Sequence, residues 1–247
     1  MTGELKEIWR FPIKAHGREA LTKVSLTAGQ ALPYDRQWAV AHEASKADGS
    51  KWVPCSQFSR AAKAPGLQAI SAKLDEASER MTLSHPDLAD LEFDPNTEGQ
   101  ELIDWAGHFV PENRPQSVAV IRSATVAFTD SHFPSVTIGN MSSHRAVSQR
   151  AGQDLSIHRW RCNLWLDGLA PWEEFDWIGK EIQIGDAVFH VEEPTTRCLA
   201  THANPETGKR DVDVLATLDH WGHQDFTVMT KVVRGGDIQP GDKVEVL

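Results

Sequence analysis

Cys198 is the residue in this sequence best placed to do chemistry. It follows Thr195, Thr196 and Arg197, and a few residues later Asn204-Pro205 opens and Gly208 closes a hairpin turn, so the thiol is expected on a strand entering a tight corner. Thiolate is the reactive and metal-binding form of cysteine, and a cation such as Arg197 favours it when the two lie close in space. The plainer reading, a buried and inert thiol, stays open, because free cysteine is among the most buried residue types.

A second segment, Ile157 to Leu164, alternates cations with bulky apolar residues. Read as a strand, it puts Arg159, Arg161 and Asn163 on one face. Arginine suits phosphate because its planar fork donates two parallel hydrogen bonds, and a neighbouring amide can read a heterocycle edge. A solvated charged face is the competing reading. Phe11-Pro12-Ile13-Lys14 and Tyr34-Asp35-Arg36-Gln37-Trp38 each place a further cation at the edge of an apolar strand. His220-Trp221-Gly222-His223 has a spacing that could ligate a metal, but glycine interrupts any helix there and no paired cysteine or carboxylate stands beside it. Four of the nine tryptophans fall between Trp160 and Trp177, which suits either stacking on a planar ligand or packing of a core.

The elements that must position these residues read as mainly strands. Short β-branched and aromatic runs bounded by turn residues occur at Glu7–Pro12, Gln37–Ala41, Ser117–Ala119, Lys180–Ile184, Ala187–Glu192, Val228–Val233 and Lys243–Leu247. The stretches 181–188 and 237–244 resemble each other, each placing Gly-Asp between two short alternating runs, and both are expected to be hairpins. Helical pattern is sparser: Gln57–Ala64, Ser142–Ala151 with Ser142 or Ser143 as cap, and Ala170–Phe175. The polar stretch Ser84–Gln100 and the run Pro111-Glu112-Asn113-Arg114-Pro115 read as connections, with a boundary near residue 112. The expected fold is α+β, mainly β with some α, with a β-barrel-like C-terminal half behind a smaller N-terminal half.

The composition narrows the function classes. Thirty-five acidic and 25 basic residues in 247 leave a net charge of -10, a poor footing for a general nucleic-acid or anionic-membrane binder, so any anion site must be a local basic patch. No apolar run approaches the ~18 residues of a membrane span, and the acidic N-terminus lacks the apolar core of a signal, which reads as a soluble, cytoplasmic protein. Three cysteines at wide spacing fit neither a disulfide framework, a closed zinc site nor a four-thiolate iron–sulfur cluster. There is no glycine-rich phosphate loop, dinucleotide fingerprint, nucleophile elbow or metalloprotease motif.

Arg161-Cys162-Asn163-Leu164, Ile178-Gly179-Lys180, Ile184-Gly185-Asp186, Arg197-Cys198 and Pro205-Glu206-Thr207-Gly208 follow one another in an order that resembles the MOSC family, named for the C-terminal domain of molybdenum cofactor sulfurases. The resemblance covers nearly the whole chain. It implies an N-terminal MOSC-associated β-barrel domain over 1–112 and a MOSC domain with its own β-barrel over 113–247. It further implies a molybdenum cofactor, Mo-molybdopterin, with Cys198 as the thiolate on the metal and the catalytic centre. Lys14, Arg36, Arg161 and Asn163 would cradle the pterin phosphate, Thr196 and Arg197 would lie near the metal, and Asn140 and Ser142 would face the cofactor. The activity implied is reduction of N-hydroxylated or N-oxygenated small molecules, with electrons from an external ferredoxin-, flavoprotein- or cytochrome-type donor. A carrier of cofactor or persulfide sulfur, and a sequestering module without turnover, use the same residues. No nucleic acid or membrane partner is expected.

Overall fold

The computed structural model describes residues 3–124 and 127–247. The first half contributes β1 (Glu4–Arg10), β2 (Glu19–Leu21), β3 (Val24–Leu26), β4 (Trp38–His42), β5 (Ser71–Leu74), β6 (Met81–His85), β7 (Leu88–Phe93), α1 (Gly99–Ala106) and β8 (Ser117–Arg122). The second contributes β9 (Val136–Asn140), α2 (Met141–Ala151), β10 (Leu164–Asp167), β11 (Glu181–Ile184), β12 (Ala187–Thr196), α3 (Val214–Leu218), β13 (Asp225–Arg234), β14 (Gly236–Ile238) and β15 (Val244–Val246). The protein is therefore mostly β with few helices.

Eight strands form one sheet in the order β15-β11-β12-β13-β9-β10-β1-β2, antiparallel except where β10 lies parallel to β9. Its two ends meet. Leu5 N donates to Asp242 O at 2.8 Å, Gly241 N to Leu5 O at 2.7 Å and Val244 N to Gly3 O at 2.9 Å, so β1 joins the start of β15 and the sheet closes on itself. Closure removes two unpaired strand edges and encloses a core that includes Leu5, Ile8, Ile138, Leu164, Phe189 and Val228. A register shift between Leu5 and Glu7 lets Leu5 and Ile8, three residues apart, both face that core.

The smaller half pairs β4 with β8 and β6 with both β5 and β7, and α1 packs on β8 and β7. Its core gathers Trp38, Leu67, Met81, Phe93 and Leu102. The chain passes between the halves at Phe11–Lys14, where Ile13 bridges in parallel to Trp38 and Lys14 N donates to Trp38 O at 2.8 Å. Backbone pairing crosses residue 112 in both directions, because β8 pairs with β4 while β1 pairs with β10.

Several expectations need correction. Residues 157–160 form a 3-10 turn and Arg161 takes left-handed backbone (φ 48°), so Arg159, Arg161 and Asn163 do not share a strand face; the strand starts only at Leu164. The Gly185-Asp186 pair does turn a hairpin between β11 and β12, but the strands flanking Gly241-Asp242 pair elsewhere, β14 with β3 and β15 with β11. Helix α2 is capped by Asn140, whose side chain accepts from Ser142 N, and not by a serine. Gln57–Ala64 is turn rather than α-helix. The stretch 84–100 carries all of β7 and the start of α1, whose charged and polar exposed faces hide them in the sequence.

Candidate functional site

Lys14, Arg36, Arg161 and Arg197 come from four separate segments and converge. Lys14 follows β1 after the crossing between halves, and its Nζ donates to Phe128 O at 2.6 Å and to Asp130 Oδ1 at 2.7 Å. Arg36, just before β4, pairs with the adjacent buried Asp35 and donates through Nη2 to the carbonyl of Arg161 at 2.8 Å. Arg161 donates to Gly17 O at 3.2 Å. The guanidinium carbons of Arg36 and Arg161 lie 4.8 and 4.5 Å from the centre of the Phe11 ring, so one aromatic side chain serves as platform for both.

Arg197 leaves the end of β12, where its backbone N donates to Gln224 O at 2.8 Å. Its Nη2 donates to Trp160 O at 2.5 Å. Trp160 is itself stacked on Phe226, 3.8 Å between ring centres, which fixes the arginine's support. Cys198 comes next. It opens a 3-10 turn over Leu199–His202, its carbonyl accepts from Thr201 N and Oγ1, and its thiol side is exposed. The buried-thiol reading therefore fails for Cys198. It holds instead for Cys162, whose thiol burial pushes up to about 12.

The electrostatics of the cluster favour an anion. Burial works to raise the Asp130 carboxyl, but Lys14, Arg36 and Arg197 more than offset it and hold it down at about 2. Asp130 is the carboxylate they share, and its side chain is 66% exposed. Burial, with Arg36 alongside, pushes the Arg161 guanidinium down to about 9, and burial lowers that of Arg197 as well. Neither Arg161 nor Arg197 has an ion pair among the described residues, and Arg197 Nε is buried with no hydrogen-bond partner. Desolvated guanidinium groups of like charge are costly without a counter-ion, and an oxyanion supplies one with matching geometry. Next to them stands an open thiol, a soft donor suited to a metal already bound by sulfur. On these observations the residues fit a phosphate-bearing, sulfur-ligated metal cofactor.

Backbone strain marks the same place. Ala15, Arg36 and Arg161 all have positive φ (64°, 52° and 48°), conformations a side chain adopts only when its surroundings impose them. His16, buried and held by burial at about 4, stays neutral beside the cations and donates from Nδ1 to Lys14 O at 2.9 Å.

Other residues singled out in the sequence have their polar groups engaged in the scaffold. Asn163 is fully buried, with Oδ1 accepting from Thr137 N and Oγ1 and Nδ2 donating to Trp9 O, so its amide ties β9, β10 and β1 together. Asn140 Nδ2 donates to Ala170 O and Glu174 Oε2, and Ser142 Oγ accepts from Arg145. Thr196 Oγ1 donates to Asp225 at 2.6 Å. Arg159 is buried, pairs with Asp211 at 2.7 Å and donates to the carbonyls of Thr201 and His202, bracing the turn that Cys198 opens. Asp130 and the Phe11 platform were not foreseen: an aspartate within Thr-Asp-Ser reads only as a turn. Among the described residues no group of three or more His, Cys, Asp or Glu is arranged to hold a metal ion, and no helix is long and apolar enough to cross a membrane.

A closed β-barrel joined to a smaller β-rich half, with cations from both halves beside an exposed cysteine, defines a two-part, mainly β protein with a basic cluster at the junction. Its sequence matches the model of the MOSC N-terminal beta barrel domain over residues 2–111 and that of the MOSC domain over 128–245. The chain belongs to the MOSC family. It is 26% identical over 242 residues to a molybdenum cofactor sulfurase of Drosophila willistoni, covering 87% of this chain and 29% of that protein, and 33% identical over 79 residues to that of Drosophila grimshawi, 32% of this chain and 10% of that one. This chain thus spans less than a third of the length of these relatives. The YUAD protein of Bacillus subtilis aligns with 100% of this chain and 96% of its own at 12% identity and a TM-score of 0.49.

Proposed function

We propose that this protein binds a pterin-based molybdenum cofactor at the junction and reduces N-hydroxylated or N-oxygenated small molecules with electrons from an external donor. The observation that carries the reading is the exposed Cys198 adjoining Arg197, one of three cations, with Lys14 and Arg36, that share Asp130. Lys14, Arg36 and Arg161 would neutralise the phosphate, and Cys198, with Arg197 beside it, would offer its sulfur to the metal. When bound, the cofactor supplies the two-electron redox chemistry. Conversion of R–NHOH to R–NH2 and water consumes two electrons and two protons; the protein's part would be to orient the N–O group beside Cys198 and hold the cofactor's charged end.

The similarity to proteins named molybdenum cofactor sulfurase favours a second reading. In it Cys198 carries persulfide sulfur or hands on the cofactor without reducing a substrate.

Protein made in a cofactor-competent host should contain molybdenum in stoichiometric amount, lost in Cys198→Ala and reduced in Arg161→Gln. A full metal site in Cys198→Ala would refute the ligand assignment. Oxidation of a reduced dye dependent on an N-hydroxylated amidine separates the reductase from the carrier, which should instead pass labelled sulfur or cofactor to an acceptor.

A further inference from the structure

A second basic site lies in the smaller half and shares no residue with the Cys198 cluster. A cavity of about 240 Å³ opens between the end of β4 and two turns, one at residues 60–64 and one at 111–114. Arg60, Lys63 and Arg114 line it, with His42 at the end of β4 and Phe58 and Val110 as apolar wall. No carboxylate lines it. Among the described residues none of the three forms an ion pair, although the chain carries a net charge of -10. Among the described residues the Arg60 side chain hydrogen-bonds the Cys55 sulfur, Nη1 to Sγ at 3.1 Å, and the charged ends of Lys63 and Arg114 make no hydrogen bond.

Both turns are built to present these side chains. Lys63 N and Ala64 N both donate to Arg60 O, and Arg114 N donates to Pro111 O at 2.9 Å, so the backbone polar groups are internally satisfied and the charges face outward. His42 is fixed by its Nε2 contact with Ser56 O at 2.8 Å. Three cations with no counter-charge around a concave, partly apolar space make a site for charge that the protein does not itself supply.

We propose that this cavity binds a small organic anion, a phosphate monoester or a carboxylate, with its charged end against Arg60, Lys63 and Arg114 and its apolar end against Phe58 and Val110. The volume lies below the range of about 300 to 1,000 Å³ typical of drug-sized ligands, which sets the size of the occupant.

Titration of the full-length protein with phenyl phosphate, benzoate, inorganic phosphate and benzyl alcohol, followed by calorimetry and by amide chemical shifts, tests this. Phenyl phosphate or benzoate should saturate, and whichever binds more tightly identifies the head group. Inorganic phosphate should bind more weakly for want of an apolar end, and benzyl alcohol should not bind. Arg60→Gln and Arg114→Gln should each weaken binding about tenfold, the scale of one charge-assisted hydrogen bond. Arg161→Gln should leave it unchanged, so the outcome is separable from that of the Cys198 reading. Both variants alter exposed or half-exposed turn residues, and unchanged circular dichroism would confirm their fold. Absence of saturation by either organic anion overturns the proposal. So does binding that survives both cavity variants but is lost in Arg161→Gln.

Discussion

Arg36 donates its hydrogen bond to the main-chain carbonyl of Arg161, and the two guanidinium groups rest over one ring, that of Phe11. A residue ahead of the smaller half's β4 thereby holds the left-handed turn that leads into the larger half's β10. The contact does two things: it gathers positive charge, and it fixes the angle at which each half offers it.

Arg36→Lys keeps the charge but lacks the fork that reaches Asp35 and Arg161 together. The expected result is a loss of about 1 to 2 kcal/mol in urea denaturation, the scale of one hydrogen bond to a charged group. An unchanged midpoint would show that the contact does not couple the halves.

The thiols should separate cleanly by reactivity. Brief treatment with iodoacetamide at pH 8, read by peptide mass mapping, should alkylate Cys198 and spare Cys162, which is buried and held as thiol by a pKa of about 12. Modification of Cys162 in folded protein would contradict its placement against Gly139 and Thr137.

Asp130 gives an acid-side signature. Its folded value of about 2 lies below the ordinary 3.8, so its contribution is complete above pH 4 and disappears as pH falls toward 2. Asp130→Asn should flatten the stability profile across that window while costing less than about 1 kcal/mol at neutral pH, because the side chain is largely open to water. The same variant should raise affinity for inorganic phosphate at the cluster.

Glu174 gives the opposite sign. It is fully buried, burial raises its carboxyl above the ordinary 4.5, and Oε1 has no partner while Oε2 accepts from Asn140 and Ser143. Its contribution is present at low pH and declines as pH rises through the shifted value. Glu174→Gln should remove that decline, giving a thermal midpoint above the parent's at pH 8. A midpoint below the parent's at pH 8 would mean that the carboxylate form is favoured.

The strands were legible where apolar alternation survives, as in β11 and parts of β12 and β13, since burial on one face forces period two, and in β4 through a continuous apolar run buried on both faces. The signal was lost in β7, whose exposed polar positions outnumber its single buried residue Phe93, and in α1, which has no serine, threonine, aspartate or asparagine cap. Lys14, Arg36, Arg161 and Cys198 could be named from type and motif. What joins them could not: the Arg36–Arg161 bond spans 125 positions and the Lys14–Asp130 pair 116, and neither leaves a local trace. Asn163 looks like a ligand reader in the sequence and the family resemblance turns Asn140 toward the cofactor, yet both are buried with their amides bonded inside the fold, partners that no local pattern announces.

Closure of the large sheet through β1 gives the first ten residues an importance their position would not suggest. They act as a stave, and trimming them would open the vessel at both seams, exposing bare strand margins able to recruit another molecule. Splitting the polypeptide near residue 112 should therefore yield a C-terminal fragment that aggregates alone and is rescued when the N-terminal fragment is supplied alongside it.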